Sequence, residues 1–385
     1  MKKILILLPF TFLERDYERF GIDVLKKNFL VRVLDFSPWL RPNLWKETQD
    51  KIFKCEEHLI VSNEDNFLNL DIYSESFIIF DFLGDHPKSG LVRNKLRKKN
   101  NIFVGFDINL IPQDKISLID LIKKLLNLVI KPKKFFSYFI KFYKDKLNKA
   151  KNTLSPDIMV IGGLGSAKRV KIKNKIYAHS MDYDIYLKLK NKSENSSPSY
   201  AVFLDQDLNT HPDYKILNLD PPASENDYYP LLNNFLKNFK NQTGLDIKFA
   251  VHPKSLNKKL PNLLQDVDYS TGNTAELIKN SSVVLLHSTT AVSFAVLFNK
   301  PTIVLTSKEL SRSWLGPKIN RVSKLTSGKL INMNKNFNLK ENIKELLKID
   351  EEKYKKYRND YIKVPNTPDI PLWEIVTNYL KNHSF

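Results

Sequence analysis

One cysteine, Cys55, stands in 385 residues, which excludes an intrachain disulfide and any cysteine-based metal cage. Long apolar runs are missing as well: no stretch approaches the roughly 20 apolar residues that span a bilayer. The run Ile4–Phe10 follows Met1-Lys2-Lys3 as a signal peptide would. It is short, lacks a small-residue cleavage site and meets Glu14, Arg15 and Asp16 at once. A buried first strand is the better reading, and a cytoplasmic protein, soluble or peripheral, is expected. No Gly-x-x-x-x-Gly-Lys-Ser/Thr loop occurs, so nucleotide hydrolysis by that route is excluded. Gly162-Gly163-Leu164-Gly165-Ser166 imitates a dinucleotide fingerprint without its spacing or its acidic residue. No NAD site, and no other cofactor, is expected.

What is present is ordinary globular composition, 42% apolar and 27% charged, with one unusual quantity, a formal charge of +19. Such an excess implies a polyanionic neighbour, although lysine-rich composition also tracks base composition of the genome. Residues 122–151 concentrate it. Lys123, Lys124, Lys131, Lys133, Lys134, Lys141, Lys144, Lys146, Lys149 and Lys151 interleave with Phe135, Phe136, Tyr138, Phe139, Phe142 and Tyr143. A basic helix with an aromatic face reads as a binder of an anionic membrane surface, each lysine contributing about 1 kcal/mol. Nucleic acid is the rival partner, but no recognised module accompanies the segment and none is expected. The protein is therefore placed peripherally on the inner face of the cell membrane.

Apolar runs alternate with amphipathic segments along the chain. Strands are expected at Lys3–Pro9, Val31–Phe36, Ser76–Phe82, Ile102–Phe106 and Asp157–Gly162, and helices at Arg15–Asn28 and Asn43–Glu57. Continuous apolar runs spaced by helices signify a parallel sheet covered on both faces. A polar stretch at residues 191–199 reads as a linker. After it the alternation restarts, with strands at Tyr200–Asp205, Lys248–Val251, Val283–His287 and Thr302–Thr306. The expected fold is α/β, two Rossmann-like doubly wound domains facing a cleft. Residues 1–190 form the first domain and 200–364 the second, of nucleotide-binding type. Residues 365–385, punctuated by Pro365, Pro368 and Pro371, carry a tail helix that crosses back to the first.

In such sheets ligands bind beyond the carboxyl ends of the strands, which picks out residues before any motif does. Lys248–Val251 ends in His252-Pro253-Lys254, and Val283–Leu286 in His287-Ser288-Thr289-Thr290 followed by a helix. Hydroxyls and free N–H groups at a helix start favour an anion, as does the helix dipole; a plain helix cap is the simpler account. His252 can donate to a phosphate oxygen, and Lys254 can offset its charge. Tyr200–Leu204 ends in Asp205-Gln206-Asp207, with His211 and Asp213 in the same loop. Asp205 and Asp207 are candidates for the general base of a sugar transfer, or for turn caps. His179, Asp182 and Asp184 follow another strand and suit the acceptor side or hinge better than a metal; no metal is expected. Gly163 reads as a turn near the cleft, and Asp81–Pro87 as a further loop on the acceptor side.

The order Phe249–Lys254, Ser282–Thr290 and Lys300–Val304 resembles the C-terminal half of GT-B glycosyltransferases. Within that fold it resembles the bacterial sialyltransferase, polysialyltransferase and Kdo transferase group of capsule and lipopolysaccharide assembly, which shares this order. The resemblance covers about the central third of the chain. It implies a CMP-activated sugar donor, a saccharide or glycolipid acceptor, and inverting, metal-independent transfer. It also implies that Asp205 or Asp207 is the base and that His252 and Ser288–Thr290 hold the CMP phosphate. The acidic motif departs from the group, with Asp-Gln-Asp-Leu in place of an acidic pair and glycine. A non-catalytic sugar- or polymer-binding relative and a glycerophosphate-type transferase are the alternatives.

Overall fold

The computed structural model describes residues 1–97, 100–109, 155–192, 200–211, 214, 219–251, 264, 267–339 and 343–383. The basic segment 122–151, the greater part of the linker, Asp213 and the His252-Pro253-Lys254 cluster lie outside them. Two parallel sheets organise the rest. The first contains β1 (Lys3–Leu8), β2 (Leu30–Asp35), β3 (His58–Ile60), β4 (Ile78–Asp81), β5 (Ile102–Asp107), β6 (Ile158–Ile161) and β7 (Asn174–Tyr177). Its order is β3-β2-β1-β4-β5-β6-β7. The second contains β8 (Tyr200–Leu204), β9 (Asp246–Ala250), β10 (Asp268–Ser270), β11 (Val283–Leu286), β12 (Thr302–Thr306) and β13 (Lys329–Asn332), in the order β10-β9-β8-β11-β12-β13. The chain thus runs outward from β1 and from β8, then returns to the other side of each.

The apolar runs explain both sheets. In β1, Ile4, Ile6 and Leu8 enter one core and Leu5 and Leu7 the other, because successive side chains of a strand face opposite ways. Every residue of β11 and β12 is buried, as expected of strands covered on both faces. The helix Leu372–Asn382 returns to the first sheet, where Leu372, Trp373, Val376 and Leu380 join Ile4, Ile6 and Leu8 in one core. The indole of Trp373 lies 5.6 Å from both Phe80 and Phe106, centroid to centroid, and its N–H donates to Arg19 O at 2.8 Å.

Several contacts join the two halves. The buried Lys279 ammonium donates to the carbonyls of Leu189, at 2.8 Å, and Lys192, closing the end of the helix Met181–Leu189. Tyr186 of that helix packs on Phe298, 5.2 Å between rings. The returning chain pairs with the segment after β7: Ser180 N donates to Ile362 O at 2.7 Å and Val364 N to Ala178 O at 3.0 Å.

The expected helix Arg15–Asn28 is two short helices, Glu14–Arg19 and Ile22–Lys26, parted at Gly21. That glycine adopts φ 57°, and a Cβ on it would lie 2.6 Å from Trp373 Cγ; only glycine combines that backbone with so close a neighbour. The helix expected to follow His287-Ser288-Thr289-Thr290 becomes regular at Val292. Among the described residues no helix is long and apolar enough to cross a membrane.

Candidate functional site

In each sheet the strand order reverses at one place, between β1 and β4 and between β8 and β11. At such a switch point the loops after neighbouring strands diverge and open a crevice. Asp205, Gln206 and Asp207 leave β8 there, and Ser288, Thr289 and Thr290 leave β11. Gln206 ties the loops together: its Oε1 accepts from Ser288 N at 2.6 Å and its Nε2 donates to Ser288 O. A side-chain amide thereby completes both backbone groups of Ser288. Sequence reasoning passed over this glutamine, whose only signal was its place between two aspartates.

The two acids differ. Asp207 is buried, with φ 47°, and turns its carboxylate to the Thr210 hydroxyl while its carbonyl accepts from Thr210 N and His211 N. It holds the loop in shape. Asp205 stays partly exposed and accepts from Asp207 N at 3.0 Å through Oδ1. Beside it stand Tyr228 and Tyr229 of the helix Glu225–Thr243. Both phenols are pushed up, first by burial and then by the negative charge of Asp205. These tyrosines were also not singled out in the sequence.

His287 requires a correction. Its ring is fully buried, with Nδ1 2.8 Å from Leu305 O and Nε2 2.8 Å from the Tyr228 hydroxyl. Leu305 O can only accept, so Nδ1 carries the proton and Nε2 accepts from Tyr228. Burial lowers the ring to about 4. The neutral imidazole braces the loop from beneath and has no nitrogen to offer a phosphate. Ser288 and Thr289 are partly exposed and Thr290 is exposed. Thr289 Oγ1 accepts from Ala291 N at 3.3 Å as the helix Val292–Leu297 begins. The Thr289 hydroxyl therefore closes the turn before the helix, and all three residues keep some exposure at the crevice.

The remaining candidates separate. His179 is buried, its Nδ1 3.0 Å from Ser180 O and its Nε2 2.9 Å from Ile370 O; it fastens the returning tail. Gly163 meets that tail too, since a Cβ there would lie 2.7 Å from the carbonyl carbon of Asp360. Its lack of a side chain admits backbone and leaves no opening to a ligand. Asp81 is paired with Arg93, 2.5 Å from Oδ2 to Nε, and so braces its own loop. The His211 ring lies tilted 5.7 Å from that of Tyr214, which meets Trp314 edge-on at 5.7 Å. Asp182, in the first turn of the helix Met181–Leu189, remains partly exposed. Among the described residues no three His, Cys, Asp or Glu side chains converge as a metal set.

No protein-family model and no curated protein matches the chain by sequence. Solved structures do. A UDP-GlcNAc 2-epimerase from Neisseria meningitidis, bound to UDP-GlcNAc, superposes with a TM-score of 0.52 at 12% identity, over 99% of this chain and 100% of that one. A glycotransferase of kitacinnamycin gives 0.48 at 10% identity, over 93% and 94%. The epimerase likeness establishes the fold as the GT-B arrangement of two Rossmann-like domains.

Proposed function

We propose that the chain is a glycosyltransferase that takes a sugar from a nucleotide donor held at the β8/β11 switch point. One observation carries this reading. The Gln206–Ser288 pairing holds a partly exposed carboxylate, Asp205, and the Ser288–Thr290 hydroxyls on the same crevice. Hydroxyls and backbone N–H groups there suit the donor phosphate, and Asp205 suits the proton. In the step, the acceptor hydroxyl gives its proton to Asp205 and its oxygen bonds to the anomeric carbon. The bond from that carbon to the phosphate oxygen breaks, and its electron pair leaves with the nucleotide. His252 and Lys254 complete the phosphate site in this reading, and no metal takes part.

The donor we propose is CMP-activated, of sialic-acid or Kdo type, on the order of the His-Pro and Ser-Thr motifs. The acceptor is a growing surface polysaccharide or glycolipid, met at the membrane through residues 122–151. UDP is the competing nucleotide, since the Neisseria epimerase of this fold is bound to UDP-GlcNAc. A thermal-shift series with CMP, UDP, GDP and dTDP and their sugars decides the matter. A ligand at 100 times its Kd stabilises by about 2.7 kcal/mol, and one nucleotide is expected to stand out. Asp205→Asn is expected to retain that shift and lose transfer. No shift with any nucleotide overturns the reading. Conversion of the donor sugar to its epimer without transfer replaces it with epimerisation.

A further inference from the structure

The switch point of the first sheet, between β1 and β4, is edged with aromatic rings. Phe10 follows β1 by two residues, Phe82 follows β4 directly, and Phe106 is the next-to-last residue of β5. The three therefore gather at the carboxyl ends of adjacent strands. Their rings form one layer. Phe82 stacks on Phe106, 4.5 Å between centroids and 18° between planes, and lies 4.8 Å from Phe20, which stacks on Phe10 at 6.4 Å. Phe20 is buried behind the layer, whereas Phe10, Phe82 and Phe106 each keep part of their surface exposed. Ligand sites at switch points are lined in this way, mostly by apolar and aromatic groups with a few placed polar ones.

A polar group stands at the rim of the layer. Arg19, next to Phe20 in the chain, is exposed. Its carbonyl accepts the Trp373 indole N–H, and its Nε donates to Met181 Sδ at 3.0 Å. Met181 N donates in turn to Asn109 Oδ1 at 2.8 Å, three residues beyond Phe106. Met181 opens the helix Met181–Leu189, whose Tyr183 belongs to the core of the second domain. This edge of the layer thus lies where the two domains meet. Arg19 is held by its backbone and by Nε, while the two terminal nitrogens of its fork make no hydrogen bond or ion pair among the described residues. Neither Asp16, three residues earlier, nor Asp182, beside Met181, pairs with it.

We propose that this layer binds the acceptor, and that the acceptor is a saccharide carrying a carboxylate. The C–H face of a sugar ring rests on the negative faces of the phenylalanine rings, and the free fork of Arg19 takes the carboxylate through two N–H groups. A lipid tail or a neutral saccharide would use the rings and leave the fork unmatched. The formal charge of +19 favours the same acidic occupant. The proposal rests on the reading of the β8/β11 crevice as the donor site, across the cleft that the two domains face. The probes are labelled oligosaccharides of equal length, of sialic acid, galacturonic acid or glucose, and polyglutamate as an acid without sugar rings, titrated by fluorescence polarisation against the whole chain. One or both acidic oligosaccharides are expected to bind about 10- to 100-fold more tightly than the glucose oligomer, the factor that hydrogen bonds to a charged group represent. Polyglutamate should bind no better than glucose. Arg19→Gln, an exposed change, should erase the preference and leave glucose binding as it was. Phe82→Leu should weaken the acidic oligosaccharides about 2- to 10-fold, and Phe82→Tyr, which keeps the ring, should not. Equal binding of acidic and neutral oligosaccharides, binding of none, binding of polyglutamate as tight as the acidic sugars, or a preference that survives Arg19→Gln overturns the proposal. These outcomes leave the donor site standing if CMP or UDP still raises the melting temperature. Failure of every nucleotide to do so is a different result, and it removes the donor-site reading itself.

Discussion

The imidazole of His287 donates to Leu305 and accepts from Tyr228, a pattern that only the neutral ring can make. Its value of about 4 in the folded protein lies below the ordinary 6.5, so the unfolded chain binds the extra proton between the two. Stability from this residue is complete above about pH 6.5 and is lost as pH falls toward 4, roughly 3 kcal/mol in all. Asp182 has the opposite sign in an overlapping window: its raised carboxyl makes the folded state less favourable as pH climbs from 3.8 to about 6. His287→Gln is therefore expected to flatten the acid limb of urea midpoints measured from pH 7 to 4.5. A variant that keeps the wild-type slope contradicts the assignment. In the sequence, His287 stands between an apolar strand and three hydroxyls, which suits a ligand as well as a brace. Only the three-dimensional position of Tyr228, 59 residues earlier, decides between them. Gln206 illustrates the converse, because a glutamine shows no partner until two loops are brought together.

At the scale of elements, the buried strands were legible because four to six consecutive apolar residues leave few alternatives to a doubly covered sheet. The short edge strands β3, β10 and β13 were not. Ile60, Tyr269 and Leu330 are exposed on them, so neither a continuous nor an alternating apolar pattern marks them. The helix expected over Arg15–Asn28 has the right periodicity, and its break at Gly21 answers to a residue 352 positions away, Trp373. Gly21→Ala is expected to destabilise by about 3 kcal/mol, combining a left-handed backbone cost of about 1–2 with overpacking of about 1–3. On a Trp373→Ala background, itself costing about 3–5 kcal/mol, the same change should cost only its backbone part. Additive losses in urea titrations of the four proteins would show that the two residues are not coupled.

For the whole molecule, two small features hold the halves in one arrangement. Lys279 places a buried ammonium against the last carbonyls of the helix Met181–Leu189, where helix polarity favours a cation. Gly163 and Gly165 admit the backbone of Asp360. Gly163→Ala should push this crossing away, at about 1–3 kcal/mol. Limited proteolysis should then cut near residues 358–370 faster than in the wild type, while nucleotide binding at the second sheet persists; unchanged cleavage would refute the contact. The return of the tail also bears on synthesis. The core around β1 contains Trp373, Val376 and Leu380, so the first half to leave the ribosome is the last to be finished. Phe20, Phe80 and Phe106 wait for Trp373, which is made long after them. A chain released before residue 372 would thus leave an open apolar face on the earlier-made half, and proteolytic surveillance could recognise it by that face alone.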